Sequence, residues 1–324
     1  MINVNQLRDV LIELQTAEKI AIFTHTNPDG DALGSSFAMK AALESLGKTA
    51  TVFLEKEIPE KYIFMNQGYA LTGNAGDFDA ALALDCGSIS RLGNLEPLYS
   101  AMAKRLVVDH HLGSEPYGDV YYTDPDSAAC AELVYSLCLD LCGTLPEKTL
   151  VPLYTGISTD TGHFKYSNVT PKTMEIGAAL IRAGLDHRAV TRILYDTVKL
   201  DKLKFTGVLA EKIQLYHNGS IAVLYCPDSF LSKYGLAHED VEELPNTVLS
   251  VEGVKASIII KEKDENSLKV SLRGKENIDM ATLAGKFGGG GHRNAAGLVT
   301  KLSPKDITDA LVEEIAKGLE EANG

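Results

Sequence analysis

The chain is short of base, of long apolar runs and of paired cysteines, and each shortage excludes something. Against 44 Asp and Glu there are 31 Lys and Arg, a formal net charge of −13. A protein that grips duplex nucleic acid through a broad basic face needs clustered Lys and Arg, so no stable duplex partner is expected. A small anionic substrate held through metal ions stays open. No run of about 18 apolar residues occurs, so no membrane span is expected. The N-terminal MINVNQLRDVLIELQTAEK lacks a basic segment leading into an apolar core, and Glu13 breaks the one candidate, so it does not read as a secretory leader. The five cysteines (Cys86, Cys130, Cys138, Cys142, Cys226) are odd in number and form no Cys-x-x-Cys pair, which fits reduced thiols in a cytoplasmic protein. Cys138 and Cys142, one helical turn apart, are expected to pack inward rather than bind zinc.

What is present is a globular composition, 45% hydrophobic and 23% charged. A length of 324 residues, at about 150 per domain, predicts two domains. The acid is uneven: residues 1–150 carry 10 basic and 21 acidic side chains, whereas residues 251–300 carry 8 and 6. In the first half, KIAIFTH (19–25), TATVFLE (49–55), FDAALALDCG (78–87) and RLVVDHH (105–111) read as apolar strands. Helical spacing marks 5–17, 32–47, 127–143 and the segment from Thr170, with Pro171 at its first position and Gly184 as its stop. Buried strands alternating with helices predict an α/β domain with a parallel sheet and helices on both faces, whose ligands bind beyond the strands' carboxyl ends. The expected limits are a catalytic domain over 1–185, a linker helix over 186–204 and a smaller mixed α/β domain over 205–324.

Charged clusters follow those strands. His25-Thr26-Asn27-Pro28-Asp29-Gly30-Asp31 is a turn by composition, yet a turn does not need a His four residues before one Asp and a second Asp two further on. Imidazole and carboxylates together suit a divalent ion such as Mn²⁺. Asp85, in DCGS, reads alone as a cap or turn residue. Asp109-His110-His111 sets three titratable groups directly after a buried strand. Asp160, in GISTDTGHF, is also open to a helix N-cap reading, and His163 to local packing. Jointly the clusters supply two His and four Asp, enough for two ions sharing one carboxylate at the roughly 3.5–4 Å of two-metal phosphoryl-transfer sites. A fifth cluster, Gly288 to Gly291 with His292 and Arg293, fits close backbone approach to an anion beside a guanidinium. Arg273 is a second candidate clamp, or an ordinary surface arginine.

At these residues the chain resembles the DHH phosphoesterase superfamily, whose motif appears as Asp109-His110-His111, with HTNPDGDALGSS, DCGS and STDTGHF in order. GGGGHRNAAG resembles the DHHA1 domain of subfamily 1. The resemblance implies one metal on His25, Asp29 and Asp85 and another on Asp31, Asp85, His110 and Asp160. It makes His111 a catalytic contact to the scissile phosphate, oriented by Asp109. It further implies a substrate clamp of Arg273, Gly289, Gly290, Gly291, His292 and Arg293. The implied cofactors are two divalent ions, Mn²⁺ foremost, with Mg²⁺ or Co²⁺ as alternatives, which activate a bridging hydroxide. Length and layout are closest to stand-alone members that degrade very short oligoribonucleotides and linear dinucleotides such as pApA, and dephosphorylate 3′-phosphoadenosine 5′-phosphate (pAp). A homodimer is compatible with the resemblance.

Rival readings share the first site. Family II inorganic pyrophosphatases and exopolyphosphatases use the same metals, but those pyrophosphatases lack GGGGH. RecJ-like single-strand exonucleases carry a further nucleic-acid-binding fold. A non-catalytic nucleotide sensor would not need a bridging carboxylate.

Overall fold

The computed structural model describes residues 7–236, 241, 243–275 and 278–321. The chain divides between Thr197 and Val198 into two compact units, each with its own sheet and core. Among the described residues no helix is long and apolar enough to cross a membrane.

The first unit is built on β1 (Lys19–Phe23), β2 (Thr49–Phe53), β3 (Ala80–Leu84), β4 (Arg105–Asp109) and β5 (Val120–Thr123). They form one sheet in the order β2-β1-β3-β4-β5, every pairing parallel. Strands covered on both faces read as unbroken apolar runs rather than alternation, and β3 is AALAL, buried throughout. One face buries Ile20, Ile22, Leu82, Leu84, Leu106 and Val108 in a core shared with α2 (Gly30–Ser45), α4 (Cys130–Cys142) and α5 (Glu147–Asp160). The other face buries Ala21, Phe23, Ala83 and Val107 beneath Leu92, Leu95 and Tyr99. These come from the 3₁₀ segment Ile89–Leu95 and from α3 (Glu96–Ser100). The doubly covered parallel sheet expected from the alternating pattern is therefore present. Cys138 and Cys142 turn toward α2, their sulfurs near the carbonyls of Ala38 and Ala42.

Two glycines set how closely α2 and α5 approach. A Cβ on Gly34 would stand 2.4 Å from the Pro152 carbonyl oxygen, and one on Gly156 would stand 2.8 Å from Asp31 Oδ1. Larger residues would wedge the helices apart, and the carboxylate at the start of α2 would part from the one ending α5.

α5 itself corrects the expectation for GISTDTGHF. Asp160 is the last residue of a helix, not the N-cap of one. β5 is likewise absent from the sequence reading. α6 (Pro171–Arg182) begins as expected, Thr170 making a reciprocal capping box with Thr173. α7 (His187–Leu194) follows.

The second unit opens with α8 (Leu200–Ala210). Its sheet has the order β10-β11-β9-β8-β7-β6 from β6 (Gln214–Tyr216), β7 (Ile221–Cys226), β8 (Ala256–Asp264), β9 (Ser267–Gly274), β10 (Gly290–His292) and β11 (Ala295–Thr300). Only β7 and β8 pair in parallel, which makes it the mixed α/β unit expected. α11 (Met280–Lys286) and α12 (Pro304–Glu321) supply Met280, Leu283, Ile307 and Leu311 to its core.

Candidate metal centre

β1, β3 and β4 are neighbours in the sheet, so whatever follows their carboxyl ends converges. His25 lies two residues past β1, Asp85 directly follows β3, and Asp109 ends β4 with His110 and His111 after it. α2 and α5 then bring Asp31 and Asp160 to the same point. Three groups result, each with ligand atoms within 4.8 Å of one another: His25, Asp29 and Asp85; Asp85, His110 and His111; Asp31, His110 and Asp160.

Asp29 caps α2, its Oδ1 accepting the amides of Asp31 and Ala32 at 3.0 and 3.1 Å. Asp31 is fully buried where the starts of α2 and α4 meet; it accepts from Cys130 N at 2.6 Å, Ala131 N at 2.9 Å and Ser35 Oγ at 3.2 Å. Burial outweighs those bonds and lifts its carboxyl to about 6. Asp85 holds a left-handed backbone (φ 54°), a conformation that costs free energy and recurs at functional sites. It is buried, and its Oδ1 has no hydrogen-bond partner. Burial, then the carboxylates of Asp31, Asp29 and Asp160, push it well above the usual range. Asp160 is pushed up to about 8, by burial and then by Asp31.

The histidines are oriented from behind. His110 Nδ1 bonds the Ser127 carbonyl at 3.1 Å, so this nitrogen carries the proton. Nε2 then faces Asp160 (3.3 Å), Asp85 (3.5 Å) and Asp31 (3.7 Å). Burial would lower His110, yet the Asp31 and Asp160 carboxylates outweigh it and raise it. His111 Nδ1 bonds Asp109 Oδ1 at 2.8 Å, and its Nε2 faces Arg91 Nη1 at 3.4 Å. Burial would raise Asp109, but hydrogen bonds from His111 and Ser114 hold it below the ordinary range. His25 is buried, which lowers it to about 4 despite nearby Asp29.

The three carboxylates around His110 Nε2 repel one another, and Asp85 among them keeps an orphaned buried oxygen. A cation among them relieves both. The donor set is oxygen and imidazole nitrogen without thiolate, since Cys86 turns its sulfur to the Ser88 carbonyl, and that set suits Mn²⁺, Mg²⁺ or Co²⁺ rather than a soft ion.

In the second unit Arg273, on β9, pairs in register with Ala295. The β10–β11 turn is pinned beside it, the Asn294 carbonyl accepting Gly274 N at 3.0 Å and the Arg293 carbonyl accepting Met280 N at 2.7 Å. Arg293 is exposed. The side chain of His292 lies outside the described residues. The Gly run is not a loose loop, because Gly290–His292 is an edge strand. A Cβ on Gly289 would meet the Gly297 carbonyl oxygen at 2.3 Å, and one on Gly291 would meet that of Ala295 at 2.5 Å. Those two glycines are explained by the hairpin. Gly290 faces open space.

The sequence reading missed Ser127, Ser114 and Arg91. The two serines act through hydrogen bonds that no spacing signals. Arg91 had a weak signal, as a lone cation in SISRLG shortly after Asp85.

Residues 19–157 match the model of the DHH family, N-terminal domain, and residues 218–321 that of the DHHA1 domain. The chain is 29% identical over 306 residues to the bifunctional oligoribonuclease and PAP phosphatase NrnA of Thermus thermophilus, covering 92% of this chain and 90% of the relative. It is 28% identical over 292 residues to the protein of the same name from Bacillus subtilis, covering 86% and 88%. Among solved structures, an exopolyphosphatase-related protein from Bacteroides fragilis has a TM-score of 0.88 at 24% identity, over 99% of this chain and 100% of that one. Exonuclease RecJ bound to manganese has a TM-score of 0.53 at 16% identity, over 98% and 95%. The two structures share the fold.

Proposed function

We propose, for a chain that belongs to the DHH family and carries a DHHA1 domain, that its substrates are short nucleotides: very short oligoribonucleotides and linear dinucleotides such as pApA, cut to mononucleotides, and pAp, from which the 3′-phosphate is removed. Membership makes it a metal-dependent phosphoesterase. The names of the Thermus and Bacillus relatives support this substrate class. The observation that carries the reading is Asp85, a buried carboxylate with one orphaned oxygen common to two of the potential metal groups.

In this reading His25, Asp29 and Asp85 hold one divalent ion, and Asp31, Asp85, His110 and Asp160 hold the other; Mn²⁺ is the proposed metal. When bound, the ions supply charge neutralisation and a water acidic enough to serve as nucleophile near neutral pH. The protein's own groups do the rest. Asp31 and Asp160 are brought together by the start of α2 and the end of α5. The Ser127 carbonyl fixes the His110 tautomer, an orienting bond of the kind that tunes metal-binding histidines. Asp109 fixes the His111 ring and turns Nε2 outward, where a proton can pass to the leaving ribose oxygen. In the second unit Arg273, Arg293, His292 and the backbone at Gly289, Gly290 and Gly291 are the proposed hold on a substrate phosphate.

A product time course with Mn²⁺ on pAp, pApA, a labelled 5-mer and pyrophosphate tests the reading. Mononucleotides and phosphate should accumulate from the first three. Release from pyrophosphate alone would replace the reading with a pyrophosphatase.

A further inference from the structure

We propose that Arg91 is a catalytic residue that binds the scissile phosphoryl group side by side with His111; the proposal rests on the phosphoesterase reading above. Arg91 sits in the 3₁₀ segment Ile89–Leu95 that follows β3 and Asp85. Its carbonyl accepts the amide of Thr26 at 2.9 Å, which ties this segment to the loop that carries His25 and Asp29. Its side chain reaches the Asp109-His110-His111 cluster, Nη1 standing 3.4 Å from His111 Nε2. One residue thus touches the loop after β1, follows the loop after β3 and meets the loop after β4. Its charge also reaches His25 and Cys86.

The contact with His111 is too long to be the purpose of this arginine. Good N–H bonds are about 2.7–3.2 Å, and the His111 ring is already fixed from its other side by Asp109 at 2.8 Å. Among the described residues no carboxylate lies within ion-pair distance of Arg91, and the side chain is exposed. A guanidinium has five N–H donors in a planar fork that matches two phosphoryl oxygens. Among the described residues, His111 Nε2 is the one side-chain hydrogen-bond contact the guanidinium makes.

Charge points the same way. Asp29, Asp31, Asp85, Asp109 and Asp160 gather five carboxylates, and two divalent ions would offset four. An anionic substrate therefore still enters a negative pocket, and the in-line reaction adds charge to its phosphoryl oxygens. A fixed cation on the substrate's side of the metals opposes both.

The test compares wild-type protein with Arg91→Ala and Arg91→Lys, all loaded with Mn²⁺, on pAp and on bis-p-nitrophenyl phosphate. The expected loss in kcat for Arg91→Ala is about 100-fold on both substrates, in line with removal of one charge-stabilising donor; the lysine variant should be intermediate, and added guanidinium ion should restore turnover in the alanine variant alone. Mn²⁺ content should be unchanged, and inorganic phosphate should bind the loaded Arg91→Ala protein about tenfold more weakly by calorimetry, a 1.4 kcal/mol loss. Turnover within about threefold of wild type would overturn the proposal and leave the phosphoesterase reading standing. So would a loss accompanied by lost metal and not restored by guanidinium, which would make Arg91 structural. A wild-type protein that hydrolyses neither substrate would overturn the parent reading as well.

Discussion

Removing the metals should make the stability of the first unit fall as pH rises above about 6.5, and binding them should abolish that fall. Asp160 is held up to about 8, against 3.8 for an ordinary Asp. Across that interval the folded chain keeps a proton that the unfolded chain has released. Each such proton costs about 1.36 kcal/mol of stability per pH unit as the solution is made more alkaline. Asp31 acts in the same direction but is spent by about 6. His25 acts in the opposite direction: burial holds it near 4, so the unfolded chain binds its proton first and stability rises with pH until about 6.5. Below that pH the contributions oppose one another. Above it the raised carboxylate of Asp160 and the raised His110 work the same way. Asp160 alone, its side chain 30% exposed, predicts a loss of about 2 kcal/mol between pH 6.5 and 8.5, or roughly 4–8 °C in the melting of a unit this size. The assay is thermal unfolding of EDTA-stripped protein across this range, repeated with Mn²⁺. A metal-free melting temperature that stays flat or climbs from pH 6.5 to 8.5 would refute the reasoning.

Other expectations follow from the same geometry. Asp85→Asn should abolish turnover yet raise the metal-free melting temperature at pH 8, because it removes one of several mutually repelling carboxylates; unfolding curves and a pAp assay check both halves. Gly156→Ala should lose about 1–3 kcal/mol through the clash of its Cβ with Asp31 Oδ1 and the Ala131 methyl, and Mn²⁺ titration of the folded variant should show weakened affinity. Arg293→Ala should raise KM for phosphorylated nucleotides much more than for a p-nitrophenyl ester, and equal effects on both would count against its place in the substrate hold.

The strand ends that build the site were legible because buried parallel strands leave unbroken apolar runs, and the run stops where His25, Asp85 and Asp109 begin. α5 was not legible. Pro152, Gly156 and a string of threonines break every local helix signal, and the helix persists because its glycine lets it pack against α2. Asp160 therefore joined the expected cluster but from a helix end that had not been foreseen. β5 and β6 are four and three residues long at sheet edges, too short for a period to register. The glycine run was read through ligand chemistry, whereas the chain's own hairpin already requires Gly289 and Gly291. Arg91 carries no periodic signal, and only the folded chain brings it to His111.

The most direct test of the account is hydrolysis of pAp and pApA by metal-stripped protein titrated with Mn²⁺. The account predicts that phosphate and mononucleotide release reach a plateau at two ions per chain and that Asp85→Asn, taken through the same titration, stays silent. A protein that binds two ions and releases neither product would contradict it.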